Sequence, residues 1–136
     1  MALELEIYDL FWKVPLFKDL NVGELKPIVE MAKMKKYNIG HHVFLQGEDI
    51  ENVYFIYSGK VKIYKTDVNG REQIVNIMQF GNMFPHAGFF RQDTYPAHAE
   101  MIEDGMLIYV PILEFEQFLI RNPRVCVKVF RVLGDK

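Results

Sequence analysis

The sequence predicts a mainly β domain flanked by helices. Three observations carry this reading. Apolar residues recur at helical spacing only near the two ends of the chain, and the middle, from Tyr37 to Val110, consists of short β-branched and aromatic runs. Those runs are separated by glycine, asparagine and aspartate. At 136 residues the chain fits one domain, long enough to bury a core without disulfides or metals.

At the amino end, Leu3, Ile7, Leu10 and Phe11 predict a short amphipathic helix that Pro15 stops. Asn21 with Glu24 three residues on reads as a variant capping box, and Leu25, Ile28, Val29 and Ala32 form the stripe of a second helix. Pro27 would cost that helix an interior hydrogen bond, so a separate first turn is expected, with the helix restarting near Lys26. Lys33, Lys35 and Lys36 read as its solvated end. Strands are expected near Val43–Leu45, Val53–Tyr57, Lys60–Lys65, Gln73–Met78, Ala97–Ile102 and Met106–Val110. Asn69-Gly70 suits a two-residue hairpin, with Ser58-Gly59 and Asp104-Gly105 as further turns. Many short strands with regular turns indicate a sandwich, barrel or jelly roll.

After Pro111 the helical period returns, with Phe115, Phe118 and Leu119 on one face, and Asn122 is expected to cap a final helix from Pro123 to Leu133. The apolar surface of that helix is wide. Val125, Val129 and Val132 are therefore assigned to a homodimer interface, the other reading being that the extra face packs on the first helix.

Composition excludes several classes. Half the residues are hydrophobic and 25% are charged, and no apolar run approaches the roughly 18 residues of a membrane span. The first nine residues carry Glu4, Glu6 and Asp9 but no lysine or arginine, unlike a secretory signal, so a cytoplasmic protein without membrane contact is expected. A formal charge of −2 offers no general attraction for nucleic acid. The single cysteine, Cys126, excludes an intramolecular disulfide and a multi-cysteine metal site. There is no glycine-framed serine, helical histidine pair around a glutamate, or phosphate loop with lysine, so no enzyme is expected. Asp19, Glu24, Asp67 and Glu72 read as caps and turns.

The order of short motifs along nearly the whole chain resembles the effector domain of the Crp/Fnr family of transcription regulators. Val14-Pro15-Leu16-Phe17 followed by Leu20 and Leu25 looks like the entry segment of that family, and Gln46-Gly47-Glu48 like its strand-to-turn motif. Val53 through Val61 looks like its next hairpin, Asn69-Gly70-Arg71-Glu72 like the turn after it, and Phe80-Gly81-Asn82-Met83-Phe84 like the opening of its phosphate-binding cassette. The resemblance implies one domain over 1–136: helices over 1–36, a double-stranded β-helix (jelly roll) of the cyclic-nucleotide-binding type over 37–110, and closing helices over 111–136 that begin a dimerisation helix. It also implies DNA binding through a carboxy-terminal helix-turn-helix that is not in this chain. The alternative is a stand-alone cyclic-nucleotide-binding-like signalling protein acting through a protein partner.

In the family a cassette helix presents backbone N–H groups to a cyclic phosphate, an arginine neutralises it and a glutamate holds the ribose. Aligned from Gly81, the glutamate motif falls on Pro85-His86-Ala87 and the arginine motif on Pro96-Ala97-His98. Both anchors are missing, which speaks against the usual mode of cyclic AMP binding. The cassette-equivalent pocket is Gly81, Asn82, Met83, Phe84, Pro85, His86, Ala87, Tyr95, Pro96, Ala97 and His98, with Phe89 and Tyr64 as further walls and Arg91 or His98 as substitute cations. Such a pocket suits an unknown small aromatic or hydrophobic effector, or none. His41 and His42 point to opposite faces of a strand, and His86 with His98 makes a two-nitrogen site at best, so no metal or other cofactor is assigned.

Overall fold

The computed structural model describes residues 2–84 and 94–134. Helix α1 (Ala2–Phe11), a 3-10 turn (Pro15–Phe17) and α2 (Val22–Met31) lead into eight strands. These are β1 (Lys33–Tyr37), β2 (His42–Phe44), β3 (Asn52–Ile56), β4 (Val61–Thr66), β5 (Glu72–Met78), β6 (Met83–Phe84), β7 (His98–Met101) and β8 (Gly105–Pro111). Helices α3 (Ile112–Arg121) and α4 (Pro123–Gly134) follow. The strands form two antiparallel sheets, ordered β1-β8-β3-β6 and β2-β7-β4-β5.

The first sheet lies between two cores. Val53, Phe55, Met83, Ile108 and Val110 pack with Leu10, Phe11, Phe17, Leu25, Phe115 and Val129 of the helical layer. Tyr54, Ile56, Phe84 and Leu107 point the other way, against Phe44, Val61, Ile63, Ala99 and Met101 of the second sheet. Four consecutive residues of β3 are therefore buried, where a half-exposed strand would alternate.

The capping box expected at Asn21 is complete. The Glu24 N–H donates to Asn21 Oδ1 at 2.9 Å, and the Asn21 N–H donates to Glu24 Oε1 at 3.0 Å. Lys128 donates to the same Glu24 oxygen at 2.7 Å, tying α4 to the start of α2. Together these bonds hold the Glu24 carboxyl below its ordinary range.

Several expectations are corrected. Helix α2 does not restart near Lys26; it runs through Pro27, because burial of Leu25, Ile28 and Val29 outweighs one missing backbone bond. Lys33, Lys35 and Lys36 are not a helix end: they lie on β1, an edge strand, so the roll begins at Lys33 rather than Tyr37. Met83–Phe84 is an additional strand. Leu3 is 51% exposed and lies outside the buried stripe of α1. The hairpin at Asn69-Gly70 is wider than two residues. Asp67 Oδ1 accepts the N–H groups of Asn69 and Arg71, the Asp67 N–H donates to the Arg71 carbonyl, and Gly70 carries the positive φ of +79°. Asn122 donates its side-chain amide to the Phe118 carbonyl at 2.8 Å, so that side chain closes the end of α3.

Val125, Val129 and Val132 are 4%, 0% and 5% exposed. They lie at i, i+4 and i+7, and that stripe is spent on the chain's own core, so they present no surface for a partner. Among the described side chains of α4, Val127 and Phe130 are 55% and 36% exposed.

The edges of the sheets differ. The edge strand β1 carries the three lysines, β2 has three residues with a register shift, and β6 has two. Edge strand β5 pairs with β4 through a register shift near Tyr64, and Asn76 Oδ1 accepts the N–H of Ile77.

The two tight turns at Ser58-Gly59 and Asp104-Gly105 meet backbone to backbone. A Cβ at Gly105 would overlap the Ser58 carbonyl, and one at Gly59 would lie 2.8 Å from the Asp104 oxygen. Gly40, at φ +88°, has open space around it. Gly105→Ala is expected to cost about 2–3 kcal/mol by overpacking, and Gly40→Ala only about 1 kcal/mol of left-handed backbone strain. Urea midpoints of the two variants check the order.

Candidate functional site

The described parts of the segment resembling the phosphate cassette, 80–84 and 94–98, lie where β2, β3, β6 and the approach to β7 converge. Its interior is filled by aromatic rings. Phe44 of β2 stacks on Tyr95 with centroids 3.8 Å apart and planes 6° apart. Phe84 of β6 packs on Phe44 at 5.4 Å and on Tyr54 of β3 at 5.7 Å. Phe44, Tyr54 and Phe84 are buried because β2, β3 and β6 point them between the sheets, and Tyr95 joins them from the segment before β7.

Tyr95 is fixed at both ends. Its hydroxyl accepts from the N–H groups of Glu51 and Asn52, each at 3.3 Å, and donates to the Asn52 carbonyl at 3.2 Å. Its own N–H donates to the Glu48 carbonyl and its carbonyl accepts from the Gly47 N–H, both at 2.9 Å. Thr94 makes an isolated bridge to Asp49. Burial pushes both the Tyr95 and the Tyr54 hydroxyl above the ordinary phenol range, so both stay protonated.

Beside this plug is an open cleft of about 450 Å³, floored by Phe44, Tyr54 and Tyr95 and rimmed by Glu48, Asp49 and Glu51. Among its described lining residues there are three carboxylates and no lysine, arginine or histidine. Glu48 is occupied by its own turn, accepting the Leu45 N–H at 2.8 Å.

The residues expected at the site separate into three groups. Phe84, Tyr95 and Ala97 face the interior. Met83 faces the helical layer, and Gly81 and Asn82 form the turn before it: Gly81 has φ +88°, and Asn82 Oδ1 accepts the Gln79 N–H. Pro96 is exposed and His98 points outward, its Nδ1 accepting the Gln46 N–H at 3.1 Å. Pro85, His86, Ala87, Phe89 and Arg91 lie outside the described residues. Tyr64 is not a wall of the pocket. It lies on the outer face of the second sheet, bonded to His42 Nε2 at 2.9 Å and 4.9 Å from the His98 ring. Among the described residues, no group of three histidine, cysteine or carboxylate side chains is placed to hold a metal. Sequence reasoning missed Phe44, Tyr54 and the acidic rim, although the inward positions of β2 and β3 follow from strand alternation.

The hydroxyl of Tyr95 satisfies two amides and one carbonyl. Tyr95→Phe should therefore cost about 1–3 kcal/mol through unpaired backbone groups, although the ring stack is kept. Thermal unfolding checks this, and a cost near zero would mean that water takes over those bonds.

A model of the cyclic nucleotide-binding domain matches residues 34–122. The chain is 23% identical over 128 residues to a CRP-like cAMP-activated global transcriptional regulator of Mycobacterium tuberculosis, covering 94% of this chain and 57% of the relative. It is 27% identical over 122 residues to the cyclic AMP receptor protein of Thermus thermophilus, covering 90% and 56%. The chain thus spans little more than half the length of these curated relatives. The crystal structure of the sensor domain of the transcriptional regulator DNR from Pseudomonas aeruginosa superposes with a TM-score of 0.85 at 24% identity, over 99% of this chain and 91% of that one. The two sheets, their flanking helices and this match over the roll lead to one conclusion: the chain belongs to the cyclic nucleotide-binding domain family, with Crp/Fnr transcription regulators among its homologues.

Proposed function

We propose that this chain is the effector-sensing and dimerisation module of a cytoplasmic Crp/Fnr-type regulator, with a cassette that does not take cyclic AMP in the usual way. One observation carries the reading: the cassette end of the roll is filled by Phe44, Tyr54, Phe84 and Tyr95, and its cleft is rimmed by carboxylates. A cyclic phosphate brought there would meet repulsion where relatives supply a guanidinium, and burying it unpaired costs several kcal/mol. Proline at 96 supplies neither charge nor donor.

In this reading the effector is a small molecule other than cyclic AMP, or none, and enters beside Tyr95. DNA is contacted through a carboxy-terminal helix-turn-helix domain, which the greater length of the regulator relatives supports. Among the described residues no helix is long and apolar enough to cross a membrane. Self-association uses the outward side of α4 at Val127 and Phe130, since the inward valines are spent on the core.

Calorimetry with cyclic AMP should show a Kd weaker than about 50 µM, and a submicromolar isotherm would overturn this reading of the cassette. Sedimentation should show a weak dimer that Val127→Glu shifts toward monomer. A strictly monomeric protein at its highest soluble concentration would remove the assigned interface.

A further inference from the structure

We infer that His98 is a proton-sensitive latch on the turn that clamps Tyr95, so that acidification loosens the mouth of the roll. The inference concerns regulation of the site described above and rests on that reading only for what the mouth admits.

The geometry assigns the protonation state. The backbone N–H of Gln46 can only donate, and it points at His98 Nδ1 from 3.1 Å. That nitrogen must therefore hold a lone pair, which places the proton of the neutral ring on Nε2. An imidazolium carries N–H at both nitrogens and has no acceptor. One added proton turns the contact into two donors facing each other.

The turn held by this contact is the one that grips Tyr95. Gln46 precedes Gly47 and Glu48, whose backbone groups bond Tyr95 on both sides at 2.9 Å. Tyr95 in turn stacks on Phe44 and floors the cleft. Release of Gln46 removes one tie between this turn and β7, leaving the pairing of Phe44 with Ala99 and the backbone bonds to Tyr95.

The groups around His98 do not offset the loss. From β4, Tyr64 lies against its ring at 4.9 Å, and Lys62 sits over the Tyr64 ring at 4.7 Å. Lys62 is paired with Glu72 of β5 at 2.8 Å and lies 3.8 Å from Glu100 of β7. His42 of β2 is bonded to Tyr64 and lies 3.4 Å from Glu100, and Glu48 of the turn is engaged with Leu45. Among the described residues no carboxylate stands within ion-pair distance of the His98 ring. The two histidines of this face therefore respond in opposite senses. A proton on His42 strengthens its attraction to Glu100, and a proton on His98 breaks the contact with Gln46.

The test uses the whole chain without added ligand. Long-range proton–nitrogen spectra of the wild-type protein near neutral pH should show His98 Nδ1 as the unprotonated ring nitrogen. On going from about pH 7.5 to about pH 5.5, protection of the Gln46, Gly47 and Tyr95 amides from exchange should fall by about threefold or more beyond the intrinsic pH effect, the equivalent of one lost hydrogen bond. His98→Asn keeps an acceptor in the Nδ1 position but does not titrate, and should hold the protection constant. A proton on Nδ1 at neutral pH, or an equal fall in both proteins, overturns the latch. If the variant does not fold, the wild-type spectra decide alone. Cyclic AMP takes no part in this experiment, so a failed latch leaves the reading of the cassette standing, and a tight cyclic AMP isotherm leaves the protonation of His98 unchanged.

Discussion

The rest of the structure depends on the burial of one sheet from both sides. Because β3 and β8 contribute to the helical core with Val53, Phe55, Ile108 and Val110 and to the roll core with Tyr54, Ile56 and Leu107, neither layer can shift without the other. Each large side chain buried in this way contributes roughly 1.5–3 kcal/mol, which fixes the register of β3 against β6 and β8. That register is what aims Tyr54 and Phe84 at Tyr95. The rings of the site are thus positioned from behind, by the helical layer on the other face of the sheet.

The chemistry at the mouth follows from what the interior already contains. A cassette that binds a cyclic phosphate leaves room and supplies positive charge; among the described residues, this end of the roll holds rings, and hydroxyls kept protonated by burial. Tyr95 performs structural work that a bound ligand could otherwise share, joining the turn at Gly47 and Glu48 to the start of β3 through five hydrogen bonds. The acidic rim adds a sign preference to the entrance.

Legibility from sequence followed the range of the interactions. The capping box at Asn21 and the aspartate and glycine turns were readable because their partners lie within a few residues. Strand β1 was not readable, since Lys33, Lys35 and Lys36 give no apolar alternation and an edge strand needs none. The valines of α4 were recognised as buried but given the wrong neighbour: the width of an apolar face tells how much is covered, not by whom. Pro96 and Ala97 are legible in the sequence as departures from the family pattern. The packing of Phe44, Tyr54 and Tyr95 is not, because these residues are far apart in the chain and are brought together by the fold.

The edges of the two sheets carry a consequence for how copies of this chain meet. A free strand edge is a template for another strand, and here each is spoiled in its own way: β1 by a row of like charges, β2 and β6 by brevity, and β5 by its irregular pairing and by the Asn76 side chain lying on the Ile77 N–H. Growth of the sheets from molecule to molecule is thereby discouraged at each edge formed by the described residues. Any contact between copies would then fall to side-chain packing, which is reversible and does not propagate from strand to strand into a polymer.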